Sequence, residues 1–208
     1  MIKFIYFDVG GVVVDDFSGN DGWKQFRTDL GVTTAMDDEF MEIFYRYEDE
    51  VLVGRDVGTL LPILREKFGL NIKNNYSLLE GFLKNFSENK YIWPIINRVE
   101  TKSRIGLLTN MYPGMLTAMN DKGILPKNNW QVIVDSTIEM LKKPDVKLFE
   151  VAEKKAGVTG NEILFIDNTV GHIEAAKAFG WNVYHYDSSN HQESCKKLEQ
   201  FLSIQGFV

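Results

Sequence analysis

The sequence predicts an α/β protein, with a doubly wound (Rossmann-like) core and an inserted helical subdomain, and three observations support this prediction. Short, nearly continuous apolar runs recur along the chain, as is typical of strands buried on both faces of a parallel sheet. Segments with helical spacing separate the later runs, so that strands and helices alternate. The gap between the first two runs is about ninety residues long, which is far beyond an ordinary connection.

Five apolar runs are the predicted strands of the core. The first, residues 3–8, ends on Asp8 and is followed by a turn at Gly10 and Gly11. The others are residues 104–109, 131–134, 163–167 and 181–186. Because open α/β sheets bind ligands outside the carboxyl ends of their strands, Asp8 and Asp167 are predicted to lie in a ligand site.

Helices are predicted after the later strands and within the long gap. Those of the core are residues 112–121, 146–156, 170–179 and 190–203; those of the gap are residues 22–30, 37–48, 58–68 and 76–86. We therefore predict a core of residues 1–15 and 88–208 and a helical cap of residues 16–87. A hinge and a helix cap are predicted at Ser18, Gly19, Asn20 and Gly22.

Composition and net charge narrow the range of expected partners and substrates. The formal net charge of −6 argues against a nucleic-acid partner and means that an anionic substrate must be held by local positive groups. The chain has no apolar stretch as long as a membrane span and no signal-peptide pattern, so we expect no membrane partner. Cys195 is the single cysteine, which excludes an intrachain disulfide and predicts a cytoplasmic location. The sequence is compatible with a homodimer.

Four segments at predicted strand ends carry chemically active residues. They read Phe7-Asp8-Val9-Gly10-Gly11-Val12, Leu107-Leu108-Thr109-Asn110, Lys142-Lys143-Pro144-Asp145 and Phe165-Ile166-Asp167-Asn168. In this order, with a helical insertion after the first segment, the chain resembles the haloacid dehalogenase-like (HAD) hydrolase superfamily over essentially its whole length. The insertion resembles the cap of the helical-cap subclass. The Asp-x-Gly pattern of the first segment is similar to a branch of sugar-1-phosphate phosphatases.

The resemblance implies phosphoryl transfer through an aspartyl-phosphate. It identifies Asp8 as the nucleophile, Thr109 as the hydroxyl that binds phosphoryl oxygens, and Lys143 as the lysine that neutralises charge. Asn110, through its backbone amide, and Gly11 are assigned to phosphate binding. The implied substrate is a small phosphorylated metabolite, such as a sugar phosphate.

The resemblance also implies a Mg²⁺ cofactor. Asp167 matches the acidic metal ligand of the superfamily, while Asp8 and the backbone carbonyl of Gly10 would supply two further oxygens. Mg²⁺ prefers such carboxylate and carbonyl oxygens. Asp15 matches a position near the hinge of the cap, and we assign it no catalytic role.

Two positions depart from the usual pattern. Gly10 stands where a second aspartate usually acts as general acid and base, a role that contributes on the order of 10²–10⁴-fold. Asn168 stands where the last motif often has a second acid, so weaker metal affinity is expected. Restoring an aspartate at Gly10 is expected to raise turnover of substrates with poor leaving groups.

Three interpretations of Gly10 remain, in order of preference. The protein is a phosphatase that acts on good leaving groups or recruits a cap residue or water. Alternatively, it is a haloacid dehalogenase, in which Asp8 attacks carbon, although such enzymes usually replace the acid found here at Asp167. The third interpretation is a catalytically weak member that binds a phosphorylated ligand or a protein.

Other polar and aromatic residues are less informative in the sequence. His172 is expected to be a partly exposed helix residue rather than a proton shuttle, and Cys195 is expected to have no nucleophilic role. Residues 44–50, Trp23 and Arg27 are candidates to face the site from the cap. Aromatic residues at helical spacing are, however, more often the core of the cap itself.

Overall fold

A computed structural model of the protein describes residues 1–17 and 22–208. The predicted hinge residues Ser18, Gly19 and Asn20 lie outside this described part of the chain. The strands are β1 (Phe4–Phe7), β2 (Val14–Asp15), β3 (Ser87–Glu88), β4 (Arg104–Thr109), β5 (Val132–Asp135), β6 (Ile163–Asp167) and β7 (Asn182–His185).

Ten α-helices lie in the described residues. They are α1 (Gly22–Leu30), α2 (Asp37–Val51), α3 (Leu60–Phe68), α4 (Leu78–Leu83), α5 (Trp93–Glu100), α6 (Met115–Asp121), α7 (Ser136–Glu139), α8 (Val146–Ala156), α9 (Val170–Ala178) and α10 (His191–Ile204). Within these described ranges, none of the helices has the length and apolar character needed to cross a membrane.

The central sheet is parallel, with strand order β5-β4-β1-β6-β7. Every residue of β1 is buried, and alternate residues face opposite sides of the sheet. Ile5 and Phe7 pack on the side of α5, α6 and α10, whereas Phe4 and Tyr6 pack on the side of α8 and α9. Helices cover both faces, so the predicted doubly wound α/β fold is confirmed.

The register of the sheet aligns the strand ends that carry the candidate site. Phe7 of β1 is paired with Leu107 of β4 on one side and with Ile166 of β6 on the other. Asp8 and Asp167 therefore leave the sheet at the same edge. The chain order also reverses beside β1, which is the place where open α/β sheets form a ligand crevice.

A second sheet is a short antiparallel ribbon of β2 and β3, in which Val14 pairs with Glu88 and Asp15 with Ser87. The predicted cap boundaries fall in this ribbon, and α1–α4 lie between its two strands in sequence. The division into a core and a cap remains a prediction. Aromatic side chains fill the interior of the four helices: Phe26 stacks on Phe82 at a centroid distance of 4.3 Å.

Several boundaries differ from those predicted. Helix α6 begins at Met115 because Gly114 before it has a left-handed φ of 78°. Helix α4 begins after Ser77, whose side chain accepts a hydrogen bond from the Glu80 amide, as N-cap residues do. Helix α5 was not predicted, although Pro94 in its first turn is a typical helix-start signal.

Candidate functional site

Three buried charged side chains meet at the carboxyl edge of the central sheet. The ammonium group of Lys143 lies 2.9 Å from Asp8 Oδ1 and 2.7 Å from Asp167 Oδ2. All three residues are at most 7% exposed. The structure therefore brings together three of the residues that the sequence assigned to the site, and two carboxylates share one lysine.

The position of Lys143 is fixed by the loop that follows β4. The side chain of Asn110 donates to the Lys143 carbonyl at 2.9 Å and accepts from the Lys143 amide at 2.8 Å. The side chain of Asn110 thus holds the lysine backbone in place. The predicted phosphate contact of Asn110 through its own backbone amide remains a prediction.

Burial and charge shift the pKa values of this cluster in different directions. Burial, together with repulsion from Asp167, raises the pKa of Asp8 to about 7 against the opposing pull of Lys143. Burial also acts to raise the pKa of Asp167, but Lys143 and His172 outweigh it and hold that pKa below its ordinary value. The two carboxylates raise the pKa of Lys143 despite its burial, so the lysine stays charged.

His172, in the first turn of α9, contacts the cluster. Its Nδ1 lies 3.1 Å from Asp167 Oδ2, and burial lowers its pKa. The side chain is partly buried, with 15% exposure. The sequence predicted a partly exposed helix residue here and did not assign it to the site. The signal for its contact with Asp167 is its position in the first helical turn after a strand-end aspartate.

Thr109 and Gly11 also lie at the predicted site. Thr109 is fully buried at the end of β4, and its hydroxyl lies 3.4 Å from the Asn110 carbonyl. The amide of Gly11 already donates to the Val14 carbonyl at 2.9 Å. The predicted phosphate contact of Gly11 remains a prediction.

A cavity of about 420 Å³ lies beside the charged cluster, and His172, which contacts Asp167, is part of its lining. The wall nearest the sheet includes residues of the loops at the site, namely Gly10, Asp16, Asn110, Thr169 and His172. The opposite wall includes side chains of α1, of α2 and of residues that flank α2 and the ribbon, namely Phe17, Trp23, Glu48, Leu52 and Phe86. The cavity therefore has a polar floor and a largely apolar roof.

Glu48 of α2 is the acidic group in that roof. It accepts a 2.7 Å hydrogen bond from the hydroxyl of Tyr112, which belongs to the core. Burial raises the pKa of Glu48, and this hydrogen bond opposes the shift.

Arg27, another candidate to face the site, instead pairs with Asp37 at 2.8 Å.

The donor set of the cluster suits a hard divalent cation. Asp8, Asp167 and His172 each offer one atom that could bind a metal, and these three atoms lie within 4.8 Å of one another. When Asp8 and Asp167 are both ionised, as metal ligands must be, two carboxylates beside one lysine leave a net negative charge in a buried place. Carboxylate oxygens are preferred ligands of Mg²⁺. The residues present therefore fit the implied cofactor.

Comparison with known proteins gives structural matches without a sequence match. No family model and no curated protein matches the chain. A predicted HAD-like family hydrolase from Porphyromonas gingivalis has a TM-score of 0.77 at 20% identity, covering 97% of this chain and 98% of its own. A HAD family enzyme from Bacteroides thetaiotaomicron, in complex with magnesium and inorganic phosphate, has a TM-score of 0.73 at 15% identity over 91% and 96%.

A third match is an L-2-haloacid dehalogenase, with a TM-score of 0.70 at 14% identity over 98% of this chain and 100% of its own. Such low identities establish a shared fold rather than a shared reaction. The chain thus has the fold of HAD family enzymes, and its chemistry must be argued from the site itself.

Proposed function

We propose that the protein is a Mg²⁺-dependent phosphatase that hydrolyses a small phosphorylated metabolite through an aspartyl-phosphate on Asp8. One observation carries the proposal: two buried carboxylates at neighbouring strand ends, those of Asp8 and Asp167, share Lys143 at 2.9 and 2.7 Å. Phosphoryl transfer requires mainly positioning and charge stabilisation, which this cluster can supply.

The reaction has two steps at Asp8. In the first, a carboxylate oxygen of Asp8 bonds to phosphorus while the ester oxygen of the substrate leaves. In the second, water attacks phosphorus, which releases inorganic phosphate and restores the carboxylate. Lys143 and the hydroxyl of Thr109 would stabilise the negative charge on the phosphoryl oxygens.

Asp8, Asp167 and the Gly10 carbonyl would hold Mg²⁺, which when bound supplies positive charge to the phosphoryl group. The structurally similar Bacteroides enzyme has been crystallised with magnesium and phosphate, which supports this cofactor. We also propose that the insertion is a helical cap and that the protein belongs with the Asp-x-Gly branch that resembles sugar-1-phosphate phosphatases.

The cavity supports a substrate whose remainder is uncharged and carries hydroxyl groups. Glu48 and Tyr112 form a hydrogen-bonded pair in its wall, and the oxygens of such a pair can accept hydrogen bonds from the hydroxyl groups of a sugar. The apolar roof can cover the carbon skeleton. Glu48 would repel a second anionic group at this end of the substrate.

A 2-haloacid dehalogenase is the second candidate, and the structural likeness to an L-2-haloacid dehalogenase favours it. In that reaction Asp8 would attack carbon and release halide. The acidic group of Glu48 beside the cavity disfavours a substrate that carries its own carboxylate. We therefore rank this candidate below the phosphatase.

A substrate panel distinguishes the candidates. Phosphate esters, among them sugar phosphates and 4-nitrophenyl phosphate, are assayed with Mg²⁺ and with excess chelator, and 2-chloropropionate is assayed for halide release. The phosphatase proposal expects phosphate release that requires the metal and disappears in Asp8→Asn. Metal-independent halide release would establish the dehalogenase instead, and no turnover of any compound would favour a binding function.

A further inference from the structure

We propose that Asp16 is the general acid and base of this site and that its carboxylate fills the place left open by Gly10. This inference rests on the proposed phosphatase function. The sequence places Asp16 six residues after Gly10, outside the position where the superfamily usually carries this group. The fold nevertheless brings the two positions into contact.

The geometry at Gly10 carries the proposal. A Cβ atom built on Gly10 would lie 2.8 Å from Oδ2 of Asp16. By standard bond lengths, the carboxylate oxygens of an aspartate lie about 2.4 Å from its own Cβ. The carboxylate of Asp16 thus occupies the space that an aspartate side chain at this position would use.

A short turn returns the chain to this point. The amides of Val12 and Val14 both donate to the Val9 carbonyl, at 3.3 and 3.0 Å, and the Gly11 amide donates to the Val14 carbonyl. Gly11 has a φ of 73°, in the left-handed region that favours glycine. The turn folds the segment after β1 back beside Gly10.

The residues on either side of Asp16 make other contacts. Asp15 lies 3.3 Å from His191 Nε2 of α10, away from the cavity. Phe17 packs into the aromatic interior of the cap, 4.8 Å from Trp23 between ring centroids. Asp16, between these two residues, lines the cavity.

The cavity is the space that Asp16 faces. Asp16 lines it together with Gly10, Asn110, Thr169 and His172. These residues adjoin the strand ends that carry Asp8, Thr109 and Asp167. A phosphate ester bound to Asp8 would therefore present its leaving oxygen to a cavity in which Asp16 supplies a carboxyl group.

The proton transfers balance over the two steps. As Asp8 bonds to phosphorus, the bond between phosphorus and the ester oxygen breaks, and protonated Asp16 gives its proton to that oxygen to form the alcohol. In the second step, the Asp16 carboxylate takes a proton from the attacking water while the water oxygen bonds to phosphorus. Asp8 is released as a carboxylate, and Asp16 is protonated again.

Leaving-group dependence tests this role. Phenyl phosphate needs a proton on its leaving oxygen far more than 4-nitrophenyl phosphate does. With Mg²⁺ present, Asp16→Asn is expected to lower kcat/KM for phenyl phosphate by about 10²-fold or more, within the range for general acids. The loss for 4-nitrophenyl phosphate is expected to stay below about tenfold.

A second readout follows the other half of the reaction. Because Asp16→Asn also lacks the base that activates water, its aspartyl-phosphate should accumulate. We expect a burst of 4-nitrophenol close to one equivalent of enzyme and a phosphorylated protein in the mass spectrum. A merely structural role for Asp16 would produce neither signal.

Asp15→Asn is the matched control, since it removes the adjacent carboxylate, which faces His191 instead of the cavity. It should leave the ratio of the kcat/KM values for the two substrates unchanged. A carboxylate swap, Gly10→Asp with Asp16→Ala, should recover at least about tenfold of the lost phenyl phosphate activity. The φ of Gly10 lies outside the left-handed region, so its backbone accepts an aspartate.

The outcomes separate this inference from the proposed function. If the wild type lacks metal-dependent phosphatase activity, the proposed function itself fails. Asp16 is not the acid if the wild type is active but folded Asp16→Asn has kcat/KM lowered equally for both substrates, or lowered for neither. A folded swap variant that recovers nothing also overturns the inference, with thermal melting used to establish folding.

Discussion

Lys143 is the residue on which the charge balance of the site depends. It is 2% exposed and lies between two buried carboxylates. Lys143→Met would leave both carboxylates without their shared partner, and breaking a buried ion pair in this way costs about 3–5 kcal/mol. We therefore expect a loss of that size in the free energy of unfolding, measured by urea denaturation without metal, together with loss of phosphatase activity.

Lys142→Met is the control for this prediction. Lys142 is next in sequence, but it pairs with Asp49 at the exposed edge of α2, and exposed pairs contribute about 0–1 kcal/mol. The double variant Asp8→Asn with Lys143→Met should lose less stability than the sum of the single variants, because the charges interact directly. Additive losses would contradict the charge-balance argument.

Cys195 gives a prediction about reactivity and pH. Burial raises the pKa of its thiol to about 11, and the sulfur lies 3.3 Å from the Tyr186 hydroxyl. A thiol with a raised pKa stays neutral until the pH nears that value, so at pH 8 the reactive thiolate is about a thousandth of the total. Iodoacetamide should label the native protein at least about 10²-fold more slowly than the urea-unfolded protein. Equal rates would contradict the burial.

Gly10 illustrates what residue-level sequence reading can and cannot reach. The missing carboxylate was evident from the motif, and the sequence predicted a gain on restoring it. The structure changes that expectation, because a Cβ at Gly10 would lie 2.8 Å from Asp16 Oδ2. Gly10→Asp in the presence of Asp16 should therefore lower phenyl phosphate turnover. The turn that brings Asp16 to this point is held by backbone hydrogen bonds, which cannot be inferred from the spacing of residues in the sequence.

At the scale of elements, one hydrogen bond joins α2 to the loop after β4. Tyr112 donates it to Glu48 at 2.7 Å. Tyr112→Phe removes the donor and leaves a largely buried carboxyl group without this partner, which costs about 1–3 kcal/mol. We expect that loss of stability by urea denaturation, and a higher KM if the pair also binds the substrate.

Thr117→Val provides a comparison for Tyr112→Phe, since Thr117 also lies in the segment after β4 but lines a different cavity. It should change KM by less than twofold to threefold, the usual scatter of context. A Tyr112→Phe variant with unchanged stability and KM would show that the contact between α2 and the core has no energetic role.

The elements were predictable to different degrees. The core strands were found within a few residues, because burial on both faces produces apolar runs that need no partner information. The ribbon of β2 and β3 was not predicted, since its two-residue strands carry no periodicity. Helix α5 was not predicted, although Ile95, Ile96 and Val99 are buried at helical spacing.

At the scale of the whole molecule, sheet order assembles the site. Asp8 and Asp167 are 159 positions apart in the sequence, and they meet because β1 lies between β4 and β6 in a parallel sheet. The sequence predicted that strand ends would share an edge, since parallel strands must do so. It could not predict which side chains of α1 and α2 line the cavity at that edge, because contacts such as that of Glu48 with Tyr112 come from tertiary packing.

Metal binding gives a prediction for the whole molecule. If Asp8 and Asp167 hold Mg²⁺ in the folded state alone, the ion stabilises the fold by about 2.7 kcal/mol at 100 times its Kd. For a chain of 208 residues, each kcal/mol corresponds to about 2–4 °C in Tm. Mg²⁺ should thus raise the Tm of the wild type by roughly 5–10 °C, and chelator should reverse the shift.

The control must separate a site effect from a general effect of salt on an acidic protein. Asp167→Asn removes one ligand and should abolish most of the Mg²⁺ shift. Asp135→Asn changes another buried aspartate at a strand end, but the Asp135 carboxylate accepts a hydrogen bond from the Thr137 amide at 2.8 Å and caps α7. It should lower the Tm without metal yet keep the full Mg²⁺ shift, because the lost cap acts on α7 and not on the ligands. Equal shifts in all three proteins would mean that Mg²⁺ acts through the net charge of −6 rather than through this pair of carboxylates.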